Sequence, residues 1–173
     1  MGRTIFLSLG MEANSDYYPE INPVILQNSL NHIASMASQT DCKLVMRDHP
    51  VATDMIKAHF ENKPQNLKIL PANAALKAAL DDHKVNIAFL LGGRQDVLKD
   101  GAEIYANHQD VMLLPLQHTG GAAQMLATNL ARTRDQHYLV SHYGHEDLGF
   151  TLICRAILNV GTRPNNPPPA LKL

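Results

Sequence analysis

Leu113-Leu114-Pro115-Leu116-Gln117-His118-Thr119-Gly120-Gly121-Ala122-Ala123 is the stretch that decides the fold. It opens as a buried strand, breaks at a polar turn, and continues into the small residues of a helix start. Thr119 stands where an N-cap belongs, and two glycines occupy the first helical turn. With no Cβ in the way, a ligand can approach the backbone N–H groups there. Those N–H groups and the helix dipole favour an anion, above all a phosphate. A second glycine pair, Gly92-Gly93, closes another apolar run, Ile87-Ala88-Phe89-Leu90-Leu91. Two strand-to-glycine turns in one chain predict a nucleotide-type site on an α/β sheet.

Outward from this stretch the same alternation runs along the chain. Strands are predicted at residues 4–9, 43–46, 67–70, 85–91 and 111–116, with a short one at 138–141. Between them lie helical patterns. One starts at Pro23 and repeats Ile25, Leu26, Leu30, Ile33 and Met36; another carries Met55, Ile56 and Phe60. Others cover 74–80, 97–105, 122–130 and 147–160. Near-continuous apolar strands separated by helices imply an α/β domain with a mainly parallel sheet covered on both faces. Ligands of such folds gather at the carboxyl ends of the strands. Both glycine pairs and the turn Arg47-Asp48-His49-Pro50 fall there. Residues 1–161 read as one domain. Residues 162–173, with Pro164 and Pro167-Pro168-Pro169, read as a linker or disordered tail.

A net charge of −1 gives no electrostatic case for nucleic acid or an anionic membrane. Phosphate binding therefore has to rest on backbone groups and a few local cations. Cys42 and Cys154 lie far apart within apolar stretches and read as reduced core residues of a cytoplasmic protein. No cysteine spacing fits a metal site, and no cofactor is called for. No apolar run reaches transmembrane length, and the first residues carry no long apolar leader core. The absence of Trp argues against an aromatic platform for carbohydrate or single-stranded nucleic acid.

Several side chains are candidates for chemistry, each with a plainer role beside it. Arg94 can pair with a phosphate, and Asp96 can accept from ribose hydroxyls or simply cap a helix. His118 and the Thr119 hydroxyl lie beside the Gly120-Gly121 amides. His49 can donate to a ligand oxygen or act in acid–base chemistry, or be a surface histidine before a proline. Tyr17 and Tyr18 can stack on a base, while Glu12, Asp16 and Glu20 read as solvated. The stretch His142-x-x-His145-Glu146-Asp147 has metal-like residue types but no regular metal signature, and reads as a polar rim. Ser8 and Ser141 lack a nucleophile-elbow context.

In order along the chain come a strand ending at Gly10, His49-Pro50, Leu91-Gly92-Gly93, and Pro115-x-x-x-Thr119-Gly120-Gly121-Ala122-Ala123. This order resembles the SLOG superfamily, domains similar to the LOG phosphoribohydrolases and the DNA-processing Smf proteins. The likeness runs over roughly residues 3 to 160 and is nearest to the SLOG domains of bacterial conflict systems. It implies a Rossmann-like three-layer sandwich. It also implies a site for a nucleotide-derived signal, linked to NAD or cyclic nucleotide chemistry in antiphage defence. By position, Gly92, Gly93, Thr119, Gly120 and Gly121 would form the phosphate and ribose cradle, with His49 at its rim.

The chain departs from the enzymatic branch, whose motif is Pro-Gly-Gly-x-Gly-Thr-x-x-Glu. Here Leu91 replaces the proline, Gln95 and Asp96 replace Gly-Thr, and Lys99 stands at the catalytic glutamate. Cleaving an N-glycosidic bond needs a carboxylate beside an oxocarbenium-like centre, which Lys99 opposes. Asp100 is adjacent, but a helix is expected to point it in another direction. Arg47-Asp48 stands before His49 where relatives tend to carry glycines, and Arg47 offers a phosphate contact. The expectation is a sensor that binds its ligand intact and signals through self-association or an effector. A bulky residue at Gly120 should then abolish binding with the fold intact. The alternative is a nucleoside or nucleotide N-glycosidase or transferase using Glu12, Asp16, Glu103 or Glu146. A third reading is a protein-interaction domain with an empty ancestral pocket.

Overall fold

Side chains of the first strand, β1 (Thr4–Gly10), alternate between two cores: Ile5 and Leu7 enter one, Phe6 the other. The later strands are β2 (Lys43–Arg47), β3 (Leu67–Leu70), β4 (Ile87–Gly92) and β5 (Met112–Pro115). They divide the same way, with Leu44, Met46, Ile87, Phe89 and Leu91 on the first side. Val45, Ala88, Leu90 and Leu113 lie on the second. A sheet apolar on both faces has to be covered on both. The computed structural model, which describes residues 2–12 and 16–131, has such a sheet.

The five strands lie in the order β3-β2-β1-β4-β5, and every pairing is parallel. Ile5 sits opposite both Leu44 and Ile87, and Gly10 opposite Gly92. From β1 the chain builds outward through β2 and β3, then crosses back to place β4 on the other side. The junction of β1 and β4 is therefore the topological switch point, where a crevice opens at the carboxyl ends. This is the α/β sandwich expected from the apolar runs.

Helices α1 (Pro23–Gln39) and α2 (Ala52–His59) cover the first face. Leu26, Leu30, Ile33 and Ala37 recur at helical spacing there, joined by Ile56 and Phe60. The start of α1 is fixed by Asn22, whose Oδ1 accepts the N–H groups of Val24 and Ile25 at 3.2 and 3.1 Å, and by Pro23 in the first turn. Helices α3 (Leu76–Asp81), α4 (Gln95–Asn107) and α5 (Gly121–Ala131) cover the second face. They bury Leu80, Val97, Ile104, Ala122, Ala123 and Leu126. On α3 Lys77 hydrogen-bonds Asp81 one turn later, which holds that carboxyl below its ordinary value.

Two helix starts differ from expectation. Helix α4 begins at Gln95, so Asp96 is in its first turn and not at its cap; there its charge complements the dipole. Thr119 closes a 3₁₀ turn, Gln117–Thr119, ahead of α5, and its hydroxyl bonds to other segments. Cys42 is a free thiol buried in the α1/α2 core. Among the described residues no helix is long and apolar enough to cross a membrane. The predicted strand at 138–141, the helix at 147–160, the stretch from His142 to Asp147, Cys154 and the tail 162–173 lie outside the described residues.

Candidate functional site

The two glycine turns meet each other. The Gly92 N–H donates to Thr119 Oγ1 at 2.8 Å, and that hydroxyl donates to the Leu116 carbonyl at 2.6 Å. The Gly93 N–H donates to the Gly10 carbonyl and the Ala122 N–H to the Gly93 carbonyl, each at 2.9 Å. The N–H groups of Thr119, Gly120 and Gly121 donate to the carbonyls of Leu116, Gln117 and Pro19 at 3.1, 3.2 and 3.0 Å. Thr119 and all four glycines are buried. In the expected phosphate cradle of Thr119, Gly120 and Gly121 the amide protons are thus committed to protein carbonyls. The physical reason is close backbone packing. Gly120 has φ 79°, and a Cβ there would collide with the Glu20 carbonyl oxygen. A Cβ on Gly121 would lie 2.5 Å from the Gly93 carbonyl oxygen.

A cavity of about 480 Å³ opens instead where β1, β2 and β3 end. Ser8, Gly10 and Glu12 line it from the end of β1, and Arg47, Asp48 and His49 from the turn after β2. Asn73 and Ala74 contribute from the loop after β3, and Asp96, Val97, Lys99 and Asp100 from the first turns of α4. Of the residues expected at the site, Gly10, Arg47, His49 and Asp96 thus come together. Gly92, Gly93, Arg94, His118, Thr119, Gly120 and Gly121 are not among its lining residues. Arg94 Nε lies 3.7 Å from the Glu12 carboxylate.

The cavity floor is a buried ion pair. Arg47 donates from its two terminal nitrogens to Asp100 Oδ2 and Oδ1, at 2.6 and 3.2 Å, and from Nε to the Ala74 carbonyl at 2.8 Å. Ser8 Oγ donates to Asp100 Oδ2 at 2.6 Å. The guanidinium stands 5.6 Å from the Phe6 ring centroid, within cation–π range. Three of its five N–H donors are thereby engaged, and its charge is paired with Asp100. As expected of a helix, α4 turns Asp100 away from Lys99: Asp100 is buried and Lys99 exposed, although both line the cavity. Asp100 follows Val97 by three residues and precedes Ile104 by four, which sets it on the buried stripe of α4.

His49 holds the start of α2. Its Nδ1 accepts the N–H groups of Val51 and Ala52, both at 3.2 Å, the pattern in which an asparagine caps a helix. Its own N–H donates to Thr53 Oγ1, which donates to Asp48 Oδ1, each at 2.8 Å. A nitrogen that accepts two N–H bonds carries no proton, so the hydrogen-bond network assigns the ring proton to Nε2. His49→Ala should lower stability by about 1 kcal/mol while His49→Asn retains most of it. Urea unfolding midpoints measure both, and equal loss in the two variants would refute the capping role.

The other candidates sort by position. Tyr18 Oη donates to Gln95 Oε1 at 3.0 Å, and Tyr17 is exposed. Of the carboxylates proposed for glycosidic cleavage, Glu12 lines the cavity, Asp16 and Glu103 do not, and Glu146 lies outside the described residues. Among the described residues no three His, Cys, Asp or Glu side chains are placed to hold a metal ion. Sequence reasoning did not assign Ser8, Asp48, Asn73, Lys99 or Asp100 to the site. The signal for Asp100 was its register on α4; the loop bearing Asn73 carries no motif. No protein-family model, curated protein or solved structure matches the chain.

Proposed function

We propose that this chain binds a nucleotide-derived small molecule at the carboxyl edge of its sheet and senses it without turning it over. The observation that carries the reading is the cavity where β1, β2 and β3 end. Its volume of about 480 Å³ falls within the roughly 300–1,000 Å³ of small-molecule sites. Its floor is already fixed by Arg47 and Asp100, so it does not have to be assembled on binding. The order of the His-Pro and glycine turns, which resembles the SLOG conflict-system domains, supplies the ligand class. In that setting the protein is a cytoplasmic, self-associating component of antiphage defence that passes occupancy to an effector.

One observation favours a second reading. Glu12 lines the cavity, and a carboxylate is what N-glycosidic cleavage requires. The two readings separate in one experiment. Thermal melting is followed against nucleosides, nucleotides, NAD, ADP-ribose and cyclic nucleotides, with mass spectrometry of each mixture. A ligand at a hundred times its dissociation constant stabilises by about 2.7 kcal/mol, which a melt resolves. A shift with the ligand recovered intact is the expected result. Released base assigns cleavage instead, and no shift across the panel overturns both.

A further inference from the structure

The cavity's charges discriminate within that ligand class. We infer that it takes the unphosphorylated member, a nucleoside, and disfavours the corresponding phosphate ester. The identity of the class rests on the reading above; the charge argument rests on the cavity alone.

A phosphate is held by arginine forks, helix-terminal amides or lysines. The lining has one arginine, Arg47, and its charge is already paired with Asp100. The helix end that reaches the cavity, the first turn of α4, carries the Asp96 carboxylate, whose charge offsets the dipole there. Lys99 is the lining's other permanent cation, and it shares the lining with Asp48, Asp96 and Glu12, the last of which lies beside Arg94. The lining carboxylates therefore outnumber the cations left to meet a ligand. The cavity is roughly 8 Å across by the cube root of its volume, about the screening length at physiological salt. A phosphate seated in it lies within about one screening length of these carboxylates and is repelled by them, the more so at low salt.

The same groups suit a neutral sugar and base. Carboxylates accept from hydroxyls, and a ribose carries a vicinal pair of them. His49 adds the opposite polarity: with Nδ1 committed to α2, its Nε2–H is a donor for a base carbonyl or ring nitrogen. Discrimination by like charge is a common route to specificity.

The test is isothermal titration of the whole chain with adenosine, guanosine, cytidine and uridine, each beside its 5′-monophosphate. At least one nucleoside should bind, with its monophosphate at least tenfold weaker. Asp96→Asn should narrow that gap at least threefold while the fold persists, the lost dipole contact lowering the melting temperature by no more than about 4 °C. Equal or tighter binding of the monophosphate overturns the inference and leaves the nucleotide-derived reading standing. A gap that Asp96→Asn leaves unchanged overturns the assignment of the discrimination to this rim. Binding of neither form overturns the inference, and the nucleotide-derived reading then stands or falls with the wider melting panel.

Discussion

Gly120→Ala will destabilise the domain by about 2–5 kcal/mol. Two costs combine. A non-glycine residue at a positive φ costs about 1–2 kcal/mol, and Gly120 has φ 79°. Its new methyl group would also collide with the Glu20 carbonyl oxygen, and forcing atoms into a packed interior costs about 1–3 kcal/mol. For a chain of this length the melting temperature should fall by of the order of 10 °C. The same collision revises the expectation that a bulky residue at Gly120 would remove binding and spare the fold. A melting temperature within a degree or two of the parent would show that the glycine turns do not pack as described. The loss should appear in the absence of any ligand.

Breaking the Arg47–Asp100 pair should have an effect of similar size, and its signature is non-additivity. Asp100→Ala leaves a guanidinium with only the Ala74 carbonyl. Arg47→Ala leaves a carboxylate, 8% exposed, with only the Ser8 hydroxyl. Orphaning a buried charge in this way costs about 3–5 kcal/mol. The lower end applies here, because the Arg47 side chain keeps 22% of its exposure. The double variant Arg47→Met/Asp100→Leu removes both charges and fills their space. It should be more stable than either single variant, since apolar replacement of a buried pair is often neutral. A denaturant-based double-mutant cycle measures this. Strictly additive losses would mean that the two residues do not stabilise one another.

Strand positions were legible because their alternate side chains enter two cores. Phe6 and Leu7 cannot both be satisfied unless the sheet is covered on each face, and that requirement is visible in the run itself. Strand order was not written in any run. It follows from which helix covers which face, a matter of long-range packing between segments such as α1 and β4. The site was legible in part for a related reason. Gly10, Arg47, His49 and Asp96 lie near strand ends, where the topology gathers side chains whatever their role. Gly92, Gly93, Gly120 and Gly121 show two uses of one residue type. A glycine admits a ligand or a second backbone, and local sequence does not say which. Gly120 and Gly121 meet the backbone of Glu20 and Pro19, a hundred residues away in sequence, and Gly92 and Gly93 meet that of Gly10. Asp100 shows the opposite case. Its place between Val97 and Ile104 marks a buried acid that needs a cation, and Arg47 at the end of β2 supplies it.

The salt bridge beneath the cavity separates two properties that proteins often have to trade. Arg47, Asp100 and Ser8 are held by one another and by the Ala74 carbonyl, so the depth of the cavity is fixed by groups the fold needs. Glu12, Asp48, Asp96 and Lys99 are exposed above them. Exchanging exposed residues such as Asp96 or Lys99 typically changes stability by less than about 0.5 kcal/mol. The mouth of the cavity is thus free to change its charge while the foundation stays put, so that, under the proposed function, one scaffold would accommodate a changing set of small molecules.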